Sequence, residues 1–186
     1  MEGKRSVLWQ GLNWPGSEYC CLAALETGWL LAGTAVVAAE GQPVRGTYRI
    51  ECERDWRTRR VEVRVDLGPI EHNLTLSIDE QQRWQLNGQD VAALAGCIDV
   101  DLGFSPSTNS LPIRRLKLAV GESAEVAAAW LRFPSLELRR LDQRYTRLAE
   151  RRYRYESEGG FMAELEVDKA GLVVDYPGGW RRVAGV

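Results

Sequence analysis

The stretch Val44-Arg-Gly-Thr-Tyr-Arg-Ile-Glu-Cys-Glu53 alternates apolar or small residues with polar ones along its whole length. Val44, Gly46, Tyr48, Ile50 and Cys52 fall on one face, and Arg45, Thr47, Arg49, Glu51 and Glu53 fall on the other. Successive side chains of an extended chain point to opposite sides, so a period of two is typical of a β-strand. The stretch therefore predicts a strand with one face in the core and the other in solvent.

The same alternation continues outward along the chain. Val61 to Leu67 and Ile70 to Asp79 repeat it, and Asn87-Gly88 is suited to a tight turn. Further strands are predicted at Ile113 to Val120, Ala124 to Phe133, Leu136 to Leu141, Tyr145 to Glu156, Phe161 to Asp168 and Leu172 to Asp175. The alanine-rich Val126 to Trp130 also fits a helix, but its apolar run ends in Phe133-Pro134, which favours a strand.

One short helix is predicted at Asp90 to Ala95, with Asp90 as its cap. About ten strands cannot form a flat open sheet without exposing a broad apolar face. We therefore expect a mainly β (β-rich α+β) fold, in which a large curved antiparallel sheet forms a half-barrel. The short helix would lie on or in its concave face, and residues 1–186 would form a single domain. A partly filled concavity predicts a cavity for an apolar or amphiphilic ligand.

Composition and motifs narrow the class of protein. A hydrophobic content of 45%, a charged content of 27% and a formal net charge of −2 are ordinary for a soluble globular chain. The longest apolar run, Gly28 to Ala39, is shorter than the roughly 20 residues of a membrane-spanning helix. No signal-peptide pattern follows Lys4 and Arg5, so we expect a cytoplasmic protein.

The four cysteines lack a Cys-x-x-Cys spacing and His72 is the only histidine, which predicts free thiols and no metal. Nucleotide-binding motifs are absent, so no cofactor is expected.

The stretch Asp99-Val-Asp-Leu-Gly-Phe-Ser-Pro-Ser-Thr-Asn-Ser-Leu-Pro-Ile-Arg-Arg-Leu116 is the main candidate for a site, because it concentrates polar groups in a segment without a regular period. Asp99 and Asp101 would lie within about 7 Å of each other on an extended chain. They suit pairing with Arg114 and Arg115, hydrogen bonds to a ligand, or general acid/base work. Asn109 suits either a turn cap or a contact with sugar hydroxyls.

Two further segments stand out. Pro177-Gly178-Gly179 predicts a tight turn that brings Tyr176 and Trp180 together, either at the mouth of a cavity or in core closure. Arginines and tyrosines interleave from Arg139 to Tyr155, a pattern that suits a nucleic-acid surface. The acidic residues among them favour a solvated outer face with cross-strand ion pairs instead.

The segments Asp99 to Leu116 and Val174 to Trp180 resemble a bacterial family described as glycolipid-binding and formerly classed as a domain of unknown function. Trp9, the Pro15-Gly-Ser-Glu18 turn and Tyr145 to Ser157 support the resemblance, which covers nearly the whole chain. It implies a half-barrel similar to that of the lipoprotein localisation factors, whose concave face receives acyl chains. Those factors are exported, and this sequence shows neither a signal peptide nor a lipid-anchor cysteine near its start. A role in lipoprotein transport is therefore not expected.

The sequence thus predicts an intracellular protein that holds a glycolipid or another amphiphile without catalysis, with no nucleic-acid partner. The predicted ligand contacts are Asp99, Asp101, Asn109, Arg114, Arg115, Tyr176, Trp180, Tyr48 and Trp56. The alternative is a hydrolase or transferase acting on a glycosyl or acyl bond, with Asp99 or Asp101 as acid/base and His72 as an accessory. That alternative requires the two carboxylates and His72 to converge on one cleft.

Overall fold

The computed structural model describes residues 3–79 and 81–185 of the chain, which fold into fifteen strands and one α-helix. The strands are β1 Arg5–Gly11, β2 Gly16–Leu25, β3 Gly28–Ala39, β4 Gln42–Glu53, β5 Thr58–Leu67, β6 Ile70–Ile78, β7 Trp84–Leu86, β8 Gln89–Asp90, β9 Asp99–Leu102, β10 Ser123–Leu131, β11 Leu138–Ala149, β12 Arg152–Ser157, β13 Phe161–Val167, β14 Val173–Tyr176 and β15 Trp180–Gly185. The helix α1 is Ser110–Leu116, and 3-10 turns span Ala92–Leu94, Pro106–Asn109 and Glu158–Gly160.

All fifteen strands belong to one curved sheet. Its order is β8-β7-β6-β5-β4-β3-β2-β1-β15-β14-β13-β12-β11-β10-β9. Every neighbouring pair is antiparallel except β9 with β10, which run parallel. The predicted half-barrel of mainly antiparallel strands is confirmed. The parallel pair was not predicted; its strands are joined by the long crossover through α1, as a parallel connection requires.

The alternation that predicted the sheet matches the observed burial. Within β4, Val44, Tyr48 and Ile50 are buried, and the arginines between them are exposed. At the start of β5, the Thr58 N–H donates to the Ile98 carbonyl and the Thr58 hydroxyl oxygen accepts from the Val100 N–H, so the curl brings the β9 edge back towards β5. The sheet thereby surrounds its own apolar face.

The crossover between β9 and β10 fills much of the concavity. Phe104 packs directly over Gly46 of β4, where an added Cβ would lie 2.9 Å from the ring. Leu111 and Ile113 of α1 are buried among the sheet side chains. A side chain at position 46 would displace Phe104, so the glycine gives the crossover room to enter the concavity.

The predicted helix at Asp90 to Ala95 is wrong in extent. Asp90 ends β8, and only Ala92–Leu94 form a single 3-10 turn. The α-helix lies instead at Ser110–Leu116, inside the segment that showed no regular period. Seven residues make too short a helix for a 3.6-residue period to be read, and Pro112 is tolerated because it lies in the first turn, where its missing N–H is not needed.

Two strand boundaries also differ from the prediction. The expected strand Ile113 to Val120 does not form, because its first residues belong to α1 and β10 pairs with β9 and β11 instead. The expected strand Tyr145 to Glu156 is divided between β11 and β12 by a turn at Glu150 and Arg151. Val126 to Trp130 is a strand, as favoured.

The four cysteines, Cys20, Cys21, Cys52 and Cys97, are free and buried. No helix in residues 3–79 or 81–185 is long and apolar enough to cross a membrane.

Candidate functional site

A cleft of about 420 Å³ opens beside β9 and the turn between β14 and β15. Five of the side chains that line it are aromatic: Trp130, Tyr155, Phe161, Tyr176 and Trp180. Polar residues also line it, among them Asp101, Asn109, Arg139 and Glu158, with Asn13, Ser105 and Ser157. We call this site the aromatic cleft. Its volume lies within the roughly 300–1,000 Å³ usual for small-molecule sites.

Asp101 is the carboxylate of the aromatic cleft. Its Oδ2 accepts a hydrogen bond from Nε2 of Gln143 at 2.6 Å, and the same Nε2 donates to the Tyr155 hydroxyl at 3.1 Å. The Oδ1 atom has no hydrogen-bond partner among residues 3–79 and 81–185. Burial raises the pKa of Asp101 to about 6, although the hydrogen bond from Gln143 acts in the opposite direction. One carboxylate oxygen is therefore available to a ligand.

Asn109 precedes α1 and is held in place by two hydrogen bonds. Its Nδ2 donates to the Pro106 carbonyl at 3.2 Å, and its Oδ1 accepts from the Tyr145 hydroxyl at 2.9 Å. These contacts fix the amide plane at the wall of the aromatic cleft. The second N–H of the amide is the donor that Asn109 has left for a ligand.

Arg139 brings a positive charge to the cleft. Its guanidinium lies 4.8 Å from the ring centroid of Trp130, and the nearest atoms of Arg139 and Glu158 are 3.9 Å apart. Its buried Nε has no hydrogen-bond partner in the described parts of the chain. Stacking on the indole holds the guanidinium in one orientation.

The turn at residues 177–179 forms one wall of the aromatic cleft. Tyr176 and Trp180 pair in register across β14 and β15, as the sequence predicted. The Phe161 ring lies 6.5 Å from that of Tyr176. Burial raises the pKa of the Tyr176 hydroxyl, so this group stays a neutral hydrogen-bonding group at physiological pH.

Asp99 and Arg115 were predicted as ligand contacts, and the structure pairs them with each other. Nε and Nη2 of Arg115 donate to the two carboxylate oxygens of Asp99 at 3.1 and 2.5 Å. The Asp99 side chain is only 1% exposed. Burial raises the pKa of Asp99, and the guanidinium of Arg115 opposes that shift. The pair joins α1 to β9 and does not line the aromatic cleft.

Arg114 and Trp56 lie at a different place from the aromatic cleft. The Arg114 guanidinium is 4.9 Å from the Trp56 ring, which in turn stacks on Trp29 at 4.7 Å. These side chains line a second cleft beyond the end of α1.

Tyr48 is buried inside the half-barrel. Its hydroxyl donates to Oε1 of Glu18 at 2.5 Å, and Ser105 donates to the same oxygen at 2.6 Å. Glu18 is fully buried, and this burial raises its pKa to about 8. Tyr48 is therefore part of an internal polar cluster, and Ser105 of that cluster also lines the aromatic cleft.

The convergence required for the enzymatic alternative does not occur. Asp101 lines the aromatic cleft, Asp99 is paired with Arg115, and His72 lies half-buried on β6 without lining the cleft. Two of the arginines on the outer face of β11 and β12 are paired with acids, Arg140 with Asp142 at 2.8 Å and Arg154 with Glu164 at 3.5 Å. That face carries the cross-strand and neighbouring ion pairs that the sequence favoured.

Several cleft residues were missed from the sequence, namely Trp130, Arg139, Tyr155, Glu158 and Phe161. One signal was readable in β11, where Gln143 alternates with the apolar Leu141 and Tyr145. A polar residue on an otherwise buried face needs a hydrogen-bond partner, which predicts a second polar group opposite it. That group is Asp101.

Comparisons with known proteins agree with this fold. The chain is similar to a DUF1089 family protein from Pseudomonas aeruginosa, whose crystal structure was determined at 1.80 Å resolution. The two are 36% identical in sequence, the match covers 89% of this chain and 92% of that chain, and the TM-score is 0.78. No curated protein matches the chain. A family model described as "Putative glycolipid-binding" matches residues 6–182, which confirms the resemblance found in the sequence, and the chain belongs to that family.

Proposed function

We propose that the protein binds the headgroup of a glycolipid or a related amphiphile in the aromatic cleft. The observation that carries the proposal is the position of Asp101, which lines a cleft walled by aromatic rings and whose Oδ1 has no hydrogen-bond partner in the described parts of the chain. Sugars present apolar C–H faces and polar hydroxyl edges. Aromatic side chains with polar tips match that division of surface, and a carboxylate accepts hydrogen bonds from hydroxyls.

The polar groups of the aromatic cleft are held in fixed positions. Gln143 orients Asp101, Tyr145 orients Asn109, and Trp130 supports Arg139. Groups held in this way lose little conformational entropy when a ligand binds, which supports recognition of a neutral, directional headgroup.

The apolar part of the ligand has a path along the rim of the cleft. Phe161 is 49% exposed, and Leu12 is 42% exposed. The backbone N–H of Leu12 donates to the carbonyl of Gly179 at 2.8 Å, so Leu12 lies beside the turn that walls the cleft. Since α1 and Phe104 fill the concavity, we place the lipid chain across this rim rather than deep inside the half-barrel.

Native mass spectrometry of protein purified from its own host, followed by lipid extraction, tests the proposal directly. A single amphiphile bound per chain is the expected result.

In parallel, binding of dodecyl maltoside monomers is measured by calorimetry for the native protein and for Asp101→Asn. Loss of a hydrogen bond to a charged acceptor predicts binding weaker by about tenfold or more.

Asp142→Asn is the matched control, because Asp142 is a neighbouring aspartate on the exposed face of β11. It is expected to leave the affinity unchanged. Failure to recover any amphiphile, together with equal affinities for Asp101→Asn and the native protein, would contradict the proposal.

A further inference from the structure

A second cleft, of about 580 Å³, lies at the opposite end of α1 from the aromatic cleft. Asn109, just before the helix, lines the aromatic cleft, whereas Arg114 and Lys117, at the end of the helix, line this one. Six cationic residues surround it: Arg54, Arg114, Lys117, Arg147, Arg151 and Lys169. We call it the basic cleft.

The acidic residues of the basic cleft do not balance these charges. Among the described residues, Glu150 and Asp168 are the acids that line it. Asp168 is already engaged, because its Oδ2 accepts from Arg182 at 2.6 Å and its Oδ1 accepts from the backbone N–H groups of Ala170 and Leu172. Glu150 lies 3.9 Å from Arg151. The result is a local positive excess on a chain whose formal net charge is −2.

Four of the cations that line the basic cleft, Arg54, Lys117, Arg147 and Lys169, have no carboxylate partner among residues 3–79 and 81–185. Elsewhere most arginines of this chain face an acid, as Arg64 does with Glu71 at 2.5 Å. Arg54 and Arg147, by contrast, form no ion pair with any residue of 3–79 or 81–185. The side chains of Lys117 and Lys169 have neither an ion pair nor a hydrogen bond within the same ranges. Their charge is available to a ligand.

Two of the guanidinium groups are fixed in place by their surroundings. Arg147 donates to the carbonyls of Leu118 at 2.8 Å, Ala149 at 3.3 Å and Glu150 at 2.6 Å. Arg114 stacks over Trp56. Backbone carbonyls orient a guanidinium without neutralising its charge, so Arg147 keeps its full charge at the wall of the cleft.

We propose that the basic cleft binds a phosphate group, supplied either by a phosphorylated small molecule or by the headgroup of an anionic phospholipid. A single carboxylate would leave most of the positive excess unmatched. A phosphate group presents several acceptor oxygens and up to two negative charges to arginine forks and lysine ammonium groups. The proposal is independent of the aromatic cleft, because no residue that the structure describes lines both clefts.

The test uses two probes and two charge-matched variants of the full chain. Inorganic pyrophosphate is titrated by calorimetry, and co-sedimentation is measured with phosphatidylcholine vesicles that contain or lack phosphatidylglycerol. Lys117→Gln/Lys169→Gln removes two exposed charges from the basic cleft. Arg132→Gln/Arg181→Gln removes two exposed charges from outside it and serves as the control.

We expect saturable binding of at least one probe to the native protein. The affinity should be about tenfold weaker in Lys117→Gln/Lys169→Gln and unchanged in Arg132→Gln/Arg181→Gln. Higher salt should weaken the binding, because the contact is electrostatic. Binding of pyrophosphate indicates a soluble phosphate ester as the source, and binding to the phosphatidylglycerol vesicles alone indicates a lipid headgroup. If neither probe binds, or if both variants weaken binding equally, the proposal is overturned.

Discussion

Glu18 is a carboxyl group whose ionisation is strongly altered by the fold. It is fully buried, and its Oε1 accepts hydrogen bonds from Tyr48 and Ser105, but its Oε2 has no partner among the described residues. Burial raises its pKa from 4.5 to about 8, so the folded protein keeps this carboxyl protonated at neutral pH. The unpartnered Oε2 is the natural position for the proton.

The free energy of unfolding is expected to fall as the pH rises from about 6 to about 8. In that range the unfolded chain has released the Glu18 proton and the folded chain retains it, with a limiting slope of about 1.4 kcal/mol per pH unit. Chemical denaturation of Glu18→Gln at several pH values checks this, because the amide does not titrate. Glu125→Gln, at an exposed position of β10, should retain the native slope. An unchanged slope in Glu18→Gln would refute the assignment.

The pKa of Asp101, about 6, makes a separate prediction about ligand binding. The carboxylate form accepts hydrogen bonds from sugar hydroxyls through Oδ1, whereas protonation of the carboxyl group removes part of that capacity. Affinity for dodecyl maltoside should therefore increase between about pH 5 and pH 7 in the native protein, and it should stay flat in Asp101→Asn. The same rise in both proteins would point to another titrating group.

At the scale of elements, the crossover from β9 through α1 to β10 is the part that organises both clefts. The Asp99–Arg115 ion pair ties the helix to β9, and buried Leu111 and Ile113 anchor it in the concavity. Asn109 and Lys117 are thereby presented at opposite ends of one short element. Loss of the Asp99–Arg115 ion pair should therefore lower the free energy of unfolding before it changes ligand binding in either cleft.

Arg115→Ala is expected to destabilise the protein by about 3 kcal/mol or more, because it leaves the Asp99 carboxylate buried without its partner. Equilibrium unfolding in urea measures the loss. The double variant Asp99→Asn/Arg115→Ala removes the charge of both members and should cost less than Arg115→Ala alone. A double variant that costs the sum of the two single changes would show that the pair is not coupled.

At the scale of the whole molecule, the first and last strands lie in the middle of the sheet. β1 pairs with β2 on one side and with β15 on the other, and β15 pairs in turn with β14. The two halves of the sheet, β1 to β8 and β9 to β14, are therefore connected edge to edge through β15. The buried Trp180 ring on β15 also walls the aromatic cleft.

Removal of residues 180–185 should therefore abolish cooperative folding, because β15 is a central strand and not an edge strand of the sheet. The deletion leaves the ladders of β1 and β14 unpaired and exposes the core between them. Near-ultraviolet circular dichroism and thermal unfolding measure the loss. Arg181→Ala/Val183→Ala, which changes only exposed side chains of β15, should fold normally. A truncated chain with a native transition would contradict this account of the sheet.

Much of the fold was predictable because local alternation reports which face of a strand is buried. The burial of β4 follows the pattern residue by residue. The Tyr176–Trp180 pair was also predictable, since the turn that joins them is only three residues long. The short helix α1 was not, because its seven residues are held by packing and by Arg115 rather than by a periodic sequence.

The sequence by itself determined a curved, mainly antiparallel sheet and marked Asp99 to Leu116 as the segment that concentrates polar groups. The tertiary structure decided the partner of each group, giving Asp99 to Arg115 and Asp101 to Gln143, 42 residues away along the chain. The physical reason is that periodicity records the face on which a residue lies. A hydrogen bond between distant strands depends on the register and curl of the whole sheet.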